Sequence, residues 1–207
     1  MAKHNHDFKM RESEQYAYQV LQHVDSKRYG SLQKYECPDF ITPGREIGVE
    51  VVSVSPDGSQ EAESLFSKIA KRESRNKADD IARLTRTGTE LIYDTSEAPI
   101  GIVEPAYWVT FDPIEDAVTR KLKLLNAHYE RCLTNELFIY TEIGPGPEGW
   151  EHHLPRLCEI SEQFPKHFNR IILNEPWLLI VFEIDDKRYA KTHFSAKEHA
   201  NCRNSCR

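Results

Sequence analysis

Over residues 10–25, MRESEQYAYQVLQHVD, the positions Met10, Ala17, Leu21 and Val24 fall on one side at helical spacing, which predicts a first helix. Two β-prone runs follow, 35–41 and 46–54, separated by Thr42-Pro43-Gly44-Arg45, a turn signature. Pro56-Asp57-Gly58-Ser59 breaks the chain and caps a second helix over 60–76, whose apolar face carries Ala62, Leu65, Phe66 and Ile69. Between 88 and 111, short apolar runs alternate with Pro and Gly and predict a strand plus an irregular hairpin. Asp112-Pro113 opens a helix over 113–130, with a capping side chain and a proline in the first turn. Glu136 to Thr141 then reads as a strand, 144–149 as a loop, 150–164 as a helix, and 169–173 and 177–184 as two further strands. Interleaved strands and helices give an α/β or α+β class with a mixed sheet. Residues 1–190 are expected to form one domain and 191–207 a loose polar C-terminal tail.

Composition narrows this picture. A chain of 207 residues, 39% hydrophobic and 29% charged, is long enough for a sizeable core. It has no apolar run approaching the roughly 20 residues that span a bilayer, so no membrane partner is expected. The first residues are polar and lack the apolar stretch of a secretory leader, and the five cysteines are odd in number without framework spacing. The expected location is therefore the cytoplasm. A net charge of −6 argues against a surface that is nucleic-acid-binding throughout. A local basic groove is compatible with it, and Lys68, Lys71, Arg72 and Arg75 form the leading candidate cluster. The competing reading of that cluster is a solvated helix face.

Several charged residues interrupt apolar positions. Glu50 breaks Ile47, Val49, Val51, Val52 and Val54, a run that otherwise reads as a strand buried on both faces, where an ionised carboxylate is costly unless a cation compensates it. Asp39 follows Pro38 at the start of an apolar run. A hairpin centred on Pro43-Gly44 puts Asp39 opposite Gly48 and diagonal to Glu50 on one face, about 7–8 Å apart, within reach of one shared ion. At about 100° per residue, Glu14 falls within the apolar face of the first helix, and Lys121 is central in the face formed by Ile114, Ala117, Val118 and Leu125. Each has a structural reading: a turn cap for Asp39, a buried ion pair for Glu50, a rim position for Glu14 and a snorkelling side chain for Lys121. Together, two or three carboxylates suit a hard cation such as Mg2+ or Mn2+, and a lysine beside it suits phosphoryl chemistry.

The order of helix with Glu14, Cys37-Pro38-Asp39-Phe40, and Ile47-Gly48-Val49-Glu50-Val51 resembles the restriction-endonuclease-like, or PD-(D/E)xK, superfamily of metal-dependent nucleases, in particular its small bacterial and phage-type members. The resemblance covers residues 10–141 in order of elements. It implies a central mixed sheet flanked by helices, Asp39 and Glu50 as ligands of Mg2+ or Mn2+, Glu14 as a supporting acid, and DNA rather than RNA as substrate. The family's lysine stands two residues after the second acid. Here that position is Val52, and Lys121 is the expected replacement. The alternative reading is a catalytically inactive nuclease-fold protein that binds nucleic acid or a partner protein, as an antitoxin or immunity module does. No phosphate-cradling glycine loop, dinucleotide fingerprint or serine-nucleophile elbow is present in the sequence.

Overall fold

The computed structural model describes residues 10–55, 59–71, 75–86, 88–103, 111–141, 143–144, 149–175 and 178–204. In chain order the elements are α1 (Glu12–Val24), α2 (Ser26–Tyr29), β1 (Gln33–Lys34), β2 (Phe40–Ile41), β3 (Ile47–Val54), α3 (Ser59–Ala70), α4 (Lys77–Arg86), β4 (Glu90–Tyr93) and β5 (Pro99–Val103). They continue with α5 (Asp112–Ala127), β6 (Thr134–Thr141), α6 (Trp150–Glu162), β7 (Arg170–Asn174), β8 (Leu178–Glu183), β9 (Arg188–His193) and α7 (Ala196–Asn204).

The class is mixed α/β. Seven strands form one sheet in the order β1-β2-β3-β6-β7-β8-β9. The central strands β3, β6 and β7 run parallel, and the flanking strands pair antiparallel. The parallel strands are strongly apolar because helices cover both of their faces, the crossover helices one face and α1 the other. On one face α1 packs Tyr16, Ala17, Val20 and Leu21 against Phe40, Val49, Val51 and Phe138. On the other, α5 and α6 bury Ile114, Val118, Leu122, Leu125 and Leu157 against Leu137, Ile139, Ile171 and Leu173.

Between β3 and α5 the described residues form a small unit with its own core. α3 and α4 close over the β4–β5 hairpin around their own core of Ala62, Leu65, Ile69 and Leu84. The second helix predicted over 60–76 therefore ends at Ala70, and a distinct helix starts at Lys77.

Two other expectations are corrected. Of the strand predicted over 35–41 only Phe40–Ile41 is extended, as β2; β1 lies just before the predicted range, and the two are joined by a turn in which the Tyr35 backbone N–H donates to the Asp39 carbonyl at 2.8 Å. The polar stretch after residue 190 finishes β9 and forms α7, which packs against α1, and buried Phe194, just before α7, and Cys202 in α7 join the core on the α1 side. A polar average concealed two core residues there. Among the described residues, no helix is long and apolar enough to cross a membrane.

Candidate active site

The β2–β3 register decides where the acids meet. Phe40 pairs with Val49 and Ile41 with Gly48, so the ladder is offset by two residues from a hairpin centred on Pro43-Gly44. The loop is longer than a two-residue turn: Thr42 closes it, its N–H donating to the Ile47 carbonyl at 3.0 Å and its Oγ1 accepting from the Glu46 and Ile47 N–H groups. A shift of two preserves side-chain parity. Asp39 therefore still lies on the face of Glu50, one place beyond the last β2–β3 pair and nearer to Glu50 than the diagonal placement expected.

Pro38 holds this arrangement from below. A Cβ at Gly48 would stand 2.8 Å from Cys132 Sγ and 2.9 Å from Pro38 Cγ, so only glycine lets the Pro38 ring lie against β3. Beyond Val49, no described strand pairs with β3 on the β2 side, which leaves its backbone to bond a side chain. Asp39 Oδ2 takes up that capacity, accepting from the Val51 N–H at 2.8 Å.

An open cleft of about 580 Å3 lies along this free edge. Glu14 reaches it from α1, Asp39 and Glu50 from the sheet, and Arg120 and Lys121 from α5. Lys121 lies within the buried stripe of α5 formed by Ala117, Val118, Leu122 and Leu125, and its ammonium ion-pairs with Glu50 Oε1. Tyr129, just after α5, donates its hydroxyl to Glu50; burial and that carboxylate push its pKa well above the usual tyrosine range. Glu14 is the third residue of α1, and its carboxylate turns back to accept the Arg11 backbone N–H at 3.0 Å, a helix-capping bond. The same carboxylate lies 3.0 Å from Lys34 Nζ, which also contacts Asp39 Oδ1 at 3.3 Å.

The electrostatics of the acids diverge. Burial pushes the Asp39 carboxyl up to about 6, aided by the charges of Glu50 and Glu14 and opposed by the Val51 N–H and Lys34. Burial also raises Glu14, but the Arg11 N–H, Lys34 and a hydrogen bond with Asp39 outweigh it and hold Glu14 below its ordinary value. Neighbouring carboxylates separated in this way are a common mark of functional clefts.

The four residues singled out in the sequence, Glu14, Asp39, Glu50 and Lys121, thus come together in one cleft. The basic cluster does not join them. Lys68, Lys71 and Arg75 are exposed and do not line the cleft, whereas Arg72 lies outside the described residues. Lys34 and Tyr129 were missed. Lys34 precedes the strand predicted from residue 35, and Tyr129 sits at a helix end where periodicity is weakest. The donor set is oxygen only, as a hard cation requires, and one cation, the Lys34 ammonium, already bridges two of the acids. Among the described residues, no three His, Cys, Asp or Glu side chains stand close enough to enclose an ion.

A second buried acid provides a contrast. Glu136 in β6 is fully buried, yet it is satisfied by Arg28 and by the Tyr29 hydroxyl at 2.7 Å, with Arg170 beside Tyr29 and paired to Glu183. It does not line the cleft and serves to tie α2 to the sheet. No protein-family model, curated protein or solved structure matches the chain.

Proposed function

We propose that this chain is a restriction-endonuclease-like, metal-dependent nuclease that hydrolyses phosphodiester bonds in DNA. The observation that carries the reading is the convergence of Asp39, Glu50 and Lys121 at the free edge of β3, with the cleft open to solvent beside them. Asp39 and Glu50 would hold Mg2+ or Mn2+, and Glu14 would support Asp39 through a hydrogen bond or a water. The ion would supply charge stabilisation at the phosphorus oxygens and a nucleophile at neutral pH. Lys121 does what the family's lysine does from another element. Val52, at the family position, is partly buried against the core beneath α5, and the Lys121 ammonium reaches Glu50 from that helix. There it can orient the attacking water or stabilise developing negative charge. Arg11 and Arg120 at the cleft give the phosphate backbone a cationic border.

The test is cleavage of plasmid, single-stranded DNA and RNA in Mg2+ or Mn2+. Wild type should cut, and chelation should abolish cutting. Asp39→Asn, Glu50→Gln and Lys121→Ala should each lose on the order of 100-fold or more. Equal cutting by all four proteins would overturn the assignment.

One observation favours a second reading, a nuclease fold kept as a scaffold that binds nucleic acid or a partner protein. Each of the three acids already has an ammonium partner within the chain, Lys34 for Glu14 and Asp39 and Lys121 for Glu50. DNA binding that weakens with salt, without cleavage and without Mn2+ binding, would select it.

A further inference from the structure

Glu14, Asp39 and Glu50 are each paired to an ammonium group, Lys34 for the first two and Lys121 for the third. The two lysines are placed differently. Among the described residues, Lys121 pairs with Glu50. Lys34 stands in a three-sided cradle: Glu14 Oε2 at 3.0 Å, Asp39 Oδ1 at 3.3 Å, and the Phe40 ring with its centroid 5.5 Å from Nζ. Two oxygens and an aromatic face are what a bound cation seeks. Its side chain remains 15% exposed, so the ammonium has a way out to solvent on a flexible four-carbon stem.

We propose that Lys34 is a resident cation that competes with a divalent metal ion for Asp39, and that it must swing out of the Glu14–Asp39 gap before the ion is held. This rests on the metal-site reading above and adds to it. A divalent ion at Asp39 would lie within a few ångströms of the Lys34 ammonium, and like charges that close in a part-buried site repel strongly. Departure of Lys34 removes the repulsion and frees an oxygen of Asp39. The released ammonium, tethered at the cleft mouth, is then available to a phosphate. Lys34 thereby sets metal affinity as a positioning residue.

The experiment measures Mn2+ binding directly, by titration calorimetry and by loss of the free-ion paramagnetic resonance signal, in wild type and in Lys34→Met, which keeps an unbranched apolar stem against Phe40. The variant is expected to bind Mn2+ at least about tenfold more tightly, the scale of one charge-assisted hydrogen bond. An independent readout needs no variant: acetylation of Lys34 in wild type by an amine-reactive reagent, followed by mass spectrometry, should rise severalfold on saturation with Mn2+, while exposed Lys187 stays constant. If Lys34→Met does not fold, this second measurement decides. Equal or weaker Mn2+ binding by a folded variant, or Lys34 labelling unchanged at saturating Mn2+, overturns the displacement and leaves the nuclease reading intact. Absence of Mn2+ binding in both proteins overturns both. Binding by the variant alone supports the displacement and identifies wild type as latched by Lys34.

Discussion

Asp39 carries a carboxyl group whose charged state the fold disfavours. Its carboxyl ionises only at about 6, against an ordinary value of 3.8, because burial and the charges of Glu50 and Glu14 outweigh the Val51 N–H and Lys34. A carboxylate whose folded-state pKa is raised adds stability below its unfolded pKa and loses that contribution as pH rises through the folded value. Asp39 therefore works against folding at pH 7.5. Asp39→Asn keeps the shape and an acceptor for Val51 without the charge. It should be more stable than wild type at pH 7.5 by about 1–3 kcal/mol. That advantage should shrink toward zero as pH falls from about 7 to 4. Glu14 has the opposite sign, because its pKa is held below 4.5, and its contribution is lost only as pH falls below that value. Urea melts of the two proteins across this range measure the difference directly. A variant less stable than wild type at pH 7.5 would make Asp39 a structural ion-pair residue rather than a functional one. Glu136 is the internal comparison: buried more deeply than Asp39, it is compensated by Arg28 and Tyr29.

At the scale of elements, the site depends on how β2 meets β3, and Gly48 is the hinge of that meeting. Gly48→Ala would drive a methyl group to 2.8 Å from Cys132 Sγ and 2.9 Å from Pro38 Cγ. Overpacking of this kind costs about 1–3 kcal/mol. Cys132→Ala removes one of the two obstructing atoms, so the double variant should recover part of the loss, and a double-mutant cycle of melting free energies measures the coupling. Additive costs would show that Pro38 moves instead and carries Asp39 with it; Mn2+ affinity would then fall.

The same elements show how much the sequence allowed one to read. The long periodic segments α1, α5, β3 and β6 follow from their apolar spacing, and the inward positions of Glu14, Glu50 and Lys121 follow with them, because burial of one face dictates the direction of every side chain on it. The hairpin register does not follow, because the Thr42 side chain closes a loop that turn residues alone do not reveal. Lys34 was hidden for a related reason: it belongs to a two-residue strand, too short to carry a period. The separate helix α4 was hidden because its face is built mainly for the small core of its own unit.

At the scale of the whole molecule, the cleft and the basic cluster belong to different bodies of the fold. The main sheet with α1, α5, α6 and α7 builds the acids, whereas Lys68, Lys71 and Arg75 are exposed on the unit inserted between β3 and α5. That unit is threaded between the strand that holds Glu50 and the helix that holds Lys121. On the proposed nuclease reading, in a chain of net charge −6, these cations would help to hold a polyanion. Each phosphate contact contributes about 0.9 to the slope of log affinity against log salt. The triple variant Lys68→Glu, Lys71→Glu, Arg75→Glu should therefore bind DNA more weakly, with a slope shallower by about 1–3, and bind Mn2+ as wild type does. Arg120→Ala, a change at the cleft itself, should reduce the slope by about 1 and leave the contribution of the insert intact. Fluorescence-anisotropy titrations over about 50–300 mM salt, across which the Debye length falls from about 14 to about 6 Å, separate the two. An unchanged slope in the triple variant would confine DNA contact to the sheet edge, where Arg11, Arg120 and the free backbone of β3 would have to hold the strand alone.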